Sequence, residues 1–187
     1  MLESTGTRRV DSKASFRNEV VGAMGNEQQI IHIGVTGHQH IPEEARVFVE
    51  RGLRELLTRY DGKPMVGLSS LAVGADQLFA SEILRTGHTL KAILPSRRYE
   101  RTFDESGLRS FQALVGKARQ VVTLGYAEPC EDAYYAAGKR VVDDCDLLVA
   151  FWDGQPANGK GGTADAVAYA HEVGKPVTVI WPEGVLH

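Results

Sequence analysis

Apolar positions along the chain fall into two alternating kinds of run. Short, nearly unbroken runs occur at "IIHIGVTG" (30–37), "PMVGLSSLA" (64–72), "TLKAILP" (89–95), "QVVTL" (120–124), "DLLVAFW" (146–152) and "PVTVIW" (176–181). They are rich in Val, Ile and Leu and lack polar alternation, so each predicts a strand buried on both faces. Between them the apolar residues recur at helical spacing. Val47, Leu53, Leu56, Leu57 and Tyr60 do so after Pro42 and two acids, a helix-start signature. Further helices are predicted over "GADQLFASEILRTG" (74–87), "GLRSFQALVGKA" (107–118), "EDAYYAAGKRVVDDC" (131–145) and "TADAVAYAHEVG" (163–174), while "SRRYERTFDES" (96–106) reads as a loop. Strands alternating with helices predict an α/β fold, a three-layer Rossmann-like parallel sheet with helices on both faces. Residues 1–28 are polar and aperiodic, which predicts a flexible N-terminal tail before a single domain over 29–187.

Composition narrows this picture in three places. A formal net charge of -3 argues against nonspecific nucleic-acid binding, and a nucleic-acid partner is not expected. The two cysteines, Cys130 and Cys145, have neither CxxC nor histidine spacing, so no metal site and no cofactor are expected and reduced thiols point to the cytoplasm. No run approaches the ~20 apolar residues of a membrane span, and no apolar core follows Arg8 and Arg9, so neither a membrane partner nor a signal peptide is predicted.

In a parallel sheet of this kind ligands bind outside the carboxyl ends of the strands. Four loops leave such ends: "GHQH" (37–40), "SSLAVGAD" (69–76), "PSRRYERTF" (95–103) and the stretch that opens "WDGQPANGKGG" (152–162). Three are small, polar or glycine-rich, and the other carries Arg97, Arg98 and Arg101. Two run into helix N-termini, at Gly74-Ala75-Asp76 and Gly161-Gly162-Thr163, where free backbone N–H groups favour phosphate. These residues also have plainer readings. Asp76 suits a helix N-terminus by charge alone, Thr163 is a good N-cap, exposed arginines are mostly solvated, and Asp153-Gly154 suits a tight turn.

Three motifs come close to known signatures and fail. "GQPANGK" (154–160) matches GxxxxGK, but Gly161 follows where Ser or Thr would ligate magnesium. "GVTGHQH" lacks the later glycines of GxGxxG. "GLSSL" ends in leucine where the nucleophile elbow GxSxG needs glycine.

Taken together, "GVTGHQHI", "SSLAVGADQLFASEIL", "ILPSRRYERTF" and "DLLVAFWDGQPANGKGGTADAVAYAHEVGKPV" resemble the SLOG superfamily, the Rossmann-like group named for Smf/DprA and the LOG enzymes. The resemblance covers nearly all of 30–181 and implies the strand order 4-3-2-1-5-6. It implies a small nucleotide-like ligand across the strand ends, with Gly37, His38, Gly74, Asp76, Arg97, Asp153, Gly161, Gly162 and Thr163 as binding residues. It also implies a homo-oligomer and, by analogy with some members, a ligand sensor in bacteria.

Enzymes of the superfamily release a base from a nucleoside monophosphate and resemble PGGxGTxxE in the glycine loop. Matched on Thr163, the catalytic glutamate falls at Ala166, which has neither a proton nor a charge to offer. Asp165, about 100° away around the helix, is the remaining catalytic candidate, with Glu172 a more distant one near the helix's far end. Nucleoside 2-deoxyribosyltransferases, whose loop is also similar, expect a glutamate there too. The sequence therefore favours a binding module over an N-glycosidase or a 2-deoxyribosyltransferase-like enzyme. A DNA-handling protein is the third reading, disfavoured by the acidic charge.

Overall fold

The computed structural model describes residues 29–156 and 159–187. The predicted tail, 1–28, lies outside them. Six strands form one all-parallel sheet: β1 (Ile31–Gly37), β2 (Met65–Ser69), β3 (Thr89–Ser96), β4 (Gln120–Tyr126), β5 (Leu147–Phe151) and β6 (Val177–Val179). Their order is β4-β3-β2-β1-β5-β6, as the resemblance implies. The five predicted helices are α1 (Glu43–Thr58), α2 (Ala75–Arg85), α3 (Glu105–Lys117), α4 (Glu131–Asp144) and α5 (Thr163–Glu172). The loop after β3 contains a 3-10 turn, Tyr99–Thr102, that hydrophobic spacing does not reveal. Helix α3 starts two residues before the predicted point because the Asp104 carboxylate caps it, accepting from Gly107 N at 2.7 Å.

Side-chain alternation on the strands divides the core. Ile33 and Val35 of β1 and Val149 and Phe151 of β5 meet Val49 and Leu53 of α1 and Phe79 and Ile83 of α2. Leu68, Ile93 and Leu148 point the other way, onto Val141 and Val142 of α4 and Ala170 of α5. Ala92 and Leu94 pack with Phe111 and Leu114 of α3. Helices α1, α2 and α3 thus cover one face, and α4 and α5 the other. Right-handed crossovers require this switch of face when the chain reverses direction across the sheet. Alpha-helix α4 sits so close to β1 that a Cβ on Gly34 would stand 2.7 Å from Val141 Cγ1.

The reversal puts β1 beside β5, with Gly37 in register with Phe151. His38 N–H donates to Phe151 O at 3.1 Å, so the loops after β1 and β5 leave the sheet side by side. After β6 the chain turns back over the strand ends, where Trp181 Nε1–H donates to Val185 O at 2.7 Å. No described helix is long and apolar enough to cross a membrane.

Candidate functional site

A cleft of about 550 Å³ opens at the carboxyl ends of the strands. Gly37 and His38 line it from the β1 loop, and Gly161, Gly162 and Thr163 from the start of α5. Tyr99, Phe103, Tyr134 and Trp152 contribute aromatic surface. Those rings lie on loops and on α4, where no periodicity marks them. Burial pushes the Tyr99 hydroxyl well above its ordinary value, so it stays protonated.

Helix α5 begins without a side-chain cap, at Gly162. Gly161 adopts φ +88°, and a Cβ there would stand 2.6 Å from Tyr135 N, so the loop needs a glycine to lie against α4. Asp165 turns away from the cleft. Its carboxylate accepts from Gly161 N at 2.7 Å and faces a small recess beside Tyr135 and Lys139. Ala166 lines the cleft, and its methyl group faces Gly138. Ala166 thus borders both the cleft and the recess, and Asp165 only the recess.

The β2–α2 loop behaves differently from a free phosphate cradle. Asp76 borders the cleft, yet the residue is only 6% exposed and its carboxylate bends back into its own loop. It accepts from Ser69 Oγ at 2.9 Å and Ser70 N at 2.8 Å, with the Leu71 and Ala72 N–H groups also contributing. Leu71, at φ 61°, is the one non-glycine residue with positive φ among those described. Successive N–H groups converging in this way form an anion nest, and here the protein's own carboxylate fills it. Burial outweighs the hydrogen bonds and raises the Asp76 pKa to about 6. The Ala75 N–H is taken too, donating to His38 O at 3.1 Å. Gly74 faces a second groove, between α1 and α2, instead of the cleft.

Asp153 lies behind the cleft wall with its side chain 1% exposed. Its carboxylate joins His38, with Nε2 3.1 Å from Oδ1, to His187, with Nδ1 2.7 Å from Oδ2. Gln155 N donates to Oδ1 at 3.0 Å. Burial opposes ionisation of Asp153, but the hydrogen bonds from His187 and Gln155 and the nearby His38 prevail and hold the carboxyl far below its usual value. His38 is shifted down by burial and by the charge of His187, against the pull of Asp153, so it is neutral at physiological pH. The rings of His38 and His187 stack at 3.7 Å. Sequence reasoning missed His187 altogether. It is 34 residues from Asp153, and only the turn after β6 brings them together.

Arg97 and Arg101 are exposed on the loop whose Tyr99, Thr102 and Phe103 line the cleft. Neither makes an ion pair among the described residues, whereas Arg98 pairs with Glu128.

No family model matches the chain, and no curated protein is similar to it in sequence. Solved structures are similar in backbone. DNA processing protein A (DprA) of Streptococcus pneumoniae is 19% identical with a TM-score of 0.64, over 84% of this chain and 52% of that one. At this identity the likeness is one of fold, the three-layer Rossmann-like parallel sheet described above. The chain spans about half the length of that DprA. DprA of Helicobacter pylori is 16% identical with a TM-score of 0.56, over 80% of this chain and 64% of that one. The molybdenum cofactor carrier protein of Chlamydomonas reinhardtii is 18% identical with a TM-score of 0.51, over 81% of this chain and 76% of that one.

One expectation is corrected by these neighbours. The Helicobacter DprA, similar in fold, binds single-stranded DNA, so the acidic net charge does not set a nucleic-acid partner aside. Net charge is a sum over the whole chain, whereas a strand of phosphates meets only a local surface. Arg97 and Arg101 are exposed on the β3 loop, with the exposed Glu100 between them.

Proposed function

We propose that the protein is a binding module for a phosphate-bearing, nucleotide-like ligand, which it holds without cleaving. The observation that carries this reading is the start of α5. Gly162, Thr163 and Ala164 open the helix into a cleft with aromatic residues in its lining, and Ala166 lines it at the position where the hydrolases that the loop resembles carry a glutamate. First-turn N–H groups and the helix dipole attract a phosphate, and Phe103, Tyr134 and Trp152 bring aromatic surface for a flat ring. Against Asp165 as a catalytic acid stands the hydrogen bond that its carboxylate already accepts from Gly161 N–H at 2.7 Å. A carrier protein and a DNA-binding protein among the fold's neighbours are in keeping with holding as its use.

Calorimetry with a panel of mononucleotides, dinucleotides, cyclic nucleotides and a single-stranded oligonucleotide tests the proposal. At least one member of the mononucleotide or dinucleotide set is expected to bind saturably. Gly162→Val, at a backbone conformation of φ -81° and ψ -179° that valine adopts freely, is expected to leave the protein folded and to weaken binding tenfold or more. A folded wild type that binds nothing in the panel refutes the reading, and binding of the oligonucleotide alone replaces it with a nucleic-acid function. Release of free base by the wild type, lost in Asp165→Ala, would make the protein an N-glycosidase.

A further inference from the structure

We propose that His38, Asp153 and His187 form a binding site for a divalent first-row transition metal, with zinc as the reference ion, in one wall of the cleft. Their donor atoms all lie within 4.8 Å of one another. Two imidazole nitrogens and one carboxylate are a donor set suited to zinc and to non-haem iron. Two ligands about 2.0–2.2 Å from one ion and about 90–110° apart stand about 3–3.5 Å from each other. His38 Nε2 and Asp153 Oδ1 are 3.1 Å apart, within that range.

A second observation comes from the hydrogen bonds. His38 Nε2 faces the Asp153 N–H at 3.1 Å and also Asp153 Oδ1 at 3.1 Å. Without its proton Nε2 accepts from the N–H but repels the carboxylate. With the proton it bonds the carboxylate but collides with the N–H. A cation shared by nitrogen and carboxylate removes the repulsion between their lone pairs.

The stacked rings, only 7° from parallel, define what must move. In-plane lone pairs of parallel rings do not converge on one ion, so one ring tilts. His38 is buried and held edge-on by Trp181 at 5.0 Å, whereas the His187 side chain is 33% exposed, so His187 is the ring with room to tilt about its contact with Asp153. The carboxylate is already oriented from behind by Gln155 N–H, as metal-binding carboxylates generally are. Three protein ligands leave a fourth position open. Because His38 and His187 both line the cleft, that position is within reach of water or an anionic oxygen of a ligand. The site does not depend on the nucleotide reading, since the metal alone tests it.

Chelator-stripped full chain is titrated with Zn²⁺ by calorimetry and with Co²⁺ by visible absorption. One equivalent is expected to bind, with Co²⁺ giving the d–d bands of a site with nitrogen and oxygen donors. His187→Ala and Asp153→Asn are each expected to weaken Zn²⁺ binding tenfold or more. His187→Ala removes an exposed ring, and its metal-free melting temperature verifies the fold. His32→Ala is expected to change nothing, although His32 Nδ1 lies 3.4 Å from Asp146 at the opposite end of β1. Failure of the wild type to bind, undiminished affinity in His187→Ala, or loss through His32→Ala instead would overturn the assignment.

Discussion

Gly74→Ala is expected to destabilise the protein by about 3 kcal/mol and to lower its melting temperature by roughly 6–12 °C. Gly74 has φ +84°, and a Cβ on it would stand 2.2 Å from the backbone oxygen of Gln39. No side-chain rotation relieves that clash, because the obstacle is main chain. The β1 loop and the start of α2 would have to separate, breaking the hydrogen bond from Ala75 N to His38 O. Gly87 supplies the control. Its φ is +78°, nearly the same, yet nothing lies within 4 Å of a Cβ placed there. Gly87→Ala should therefore carry only the conformational penalty, about 1 kcal/mol. Urea unfolding of both variants separates strain from collision, and equal losses would show that the contact with Gln39 contributes nothing.

Asp76→Ala is expected to destabilise by about 2–4 kcal/mol, because Ser70 N–H loses its acceptor inside the fold and Ser69 Oγ keeps only the longer bond to the residue 76 main-chain oxygen. Asp76→Asn keeps an acceptor and the shape, and it isolates the effect of charge. The folded-state pKa of Asp76, about 6, lies above the ordinary value of 3.8. Between these values the folded protein keeps the proton that the unfolded chain has lost, so protonation favours the fold. The contribution of Asp76 is thus most favourable below about pH 4 and declines as pH rises to about 6. The full span is about 3 kcal/mol by linkage. Other carboxylates titrate in the same window, so the measurable quantity is the difference between wild type and Asp76→Asn in urea unfolding across pH 4–7. The wild type should lose stability relative to the variant as pH rises, and parallel curves would refute the charge burial.

These two residues show where sequence reading reaches its limit. Strands β1, β2, β3 and β5 were legible because burial leaves continuous Val, Ile and Leu runs, and the helices because one face of each is apolar. Strands β4 and β6 carry similar runs but lie at the sheet edges with no buried residue, so the expected burial on both faces fails there. The bearing of Ala166 and Asp165 was legible for a similar reason, since helical geometry alone separates neighbours by about 100°. "GAD" announces a helix start at 74–76, but nothing local in sequence says that the nest before it is already filled by Asp76. That depends on the turn at Leu71, a residue type that rarely takes positive φ. The cluster of His38, Asp153 and His187 is less legible still. His38 and Asp153 are 115 residues apart and meet only because β1 pairs with β5. Cysteine spacing, the basis for expecting no metal, carries no information about such a set.

The pairing of β1 with β5 also has a consequence in time. A ribosome makes β1 first and reaches β5 only 110 residues later, counting from Gly37 to Leu147. At about 5–20 residues per second the wait is on the order of 5–20 s. Throughout it the strand that ends in the middle of the sheet is an outer strand, with one row of N–H and C=O groups unpaired and Ile33 and Val35 lacking their later neighbours. Such an edge is a template for pairing with another nascent chain. The topology that brings the two halves of the cleft together thus makes the nascent chain most vulnerable to aggregation just before β5 is added.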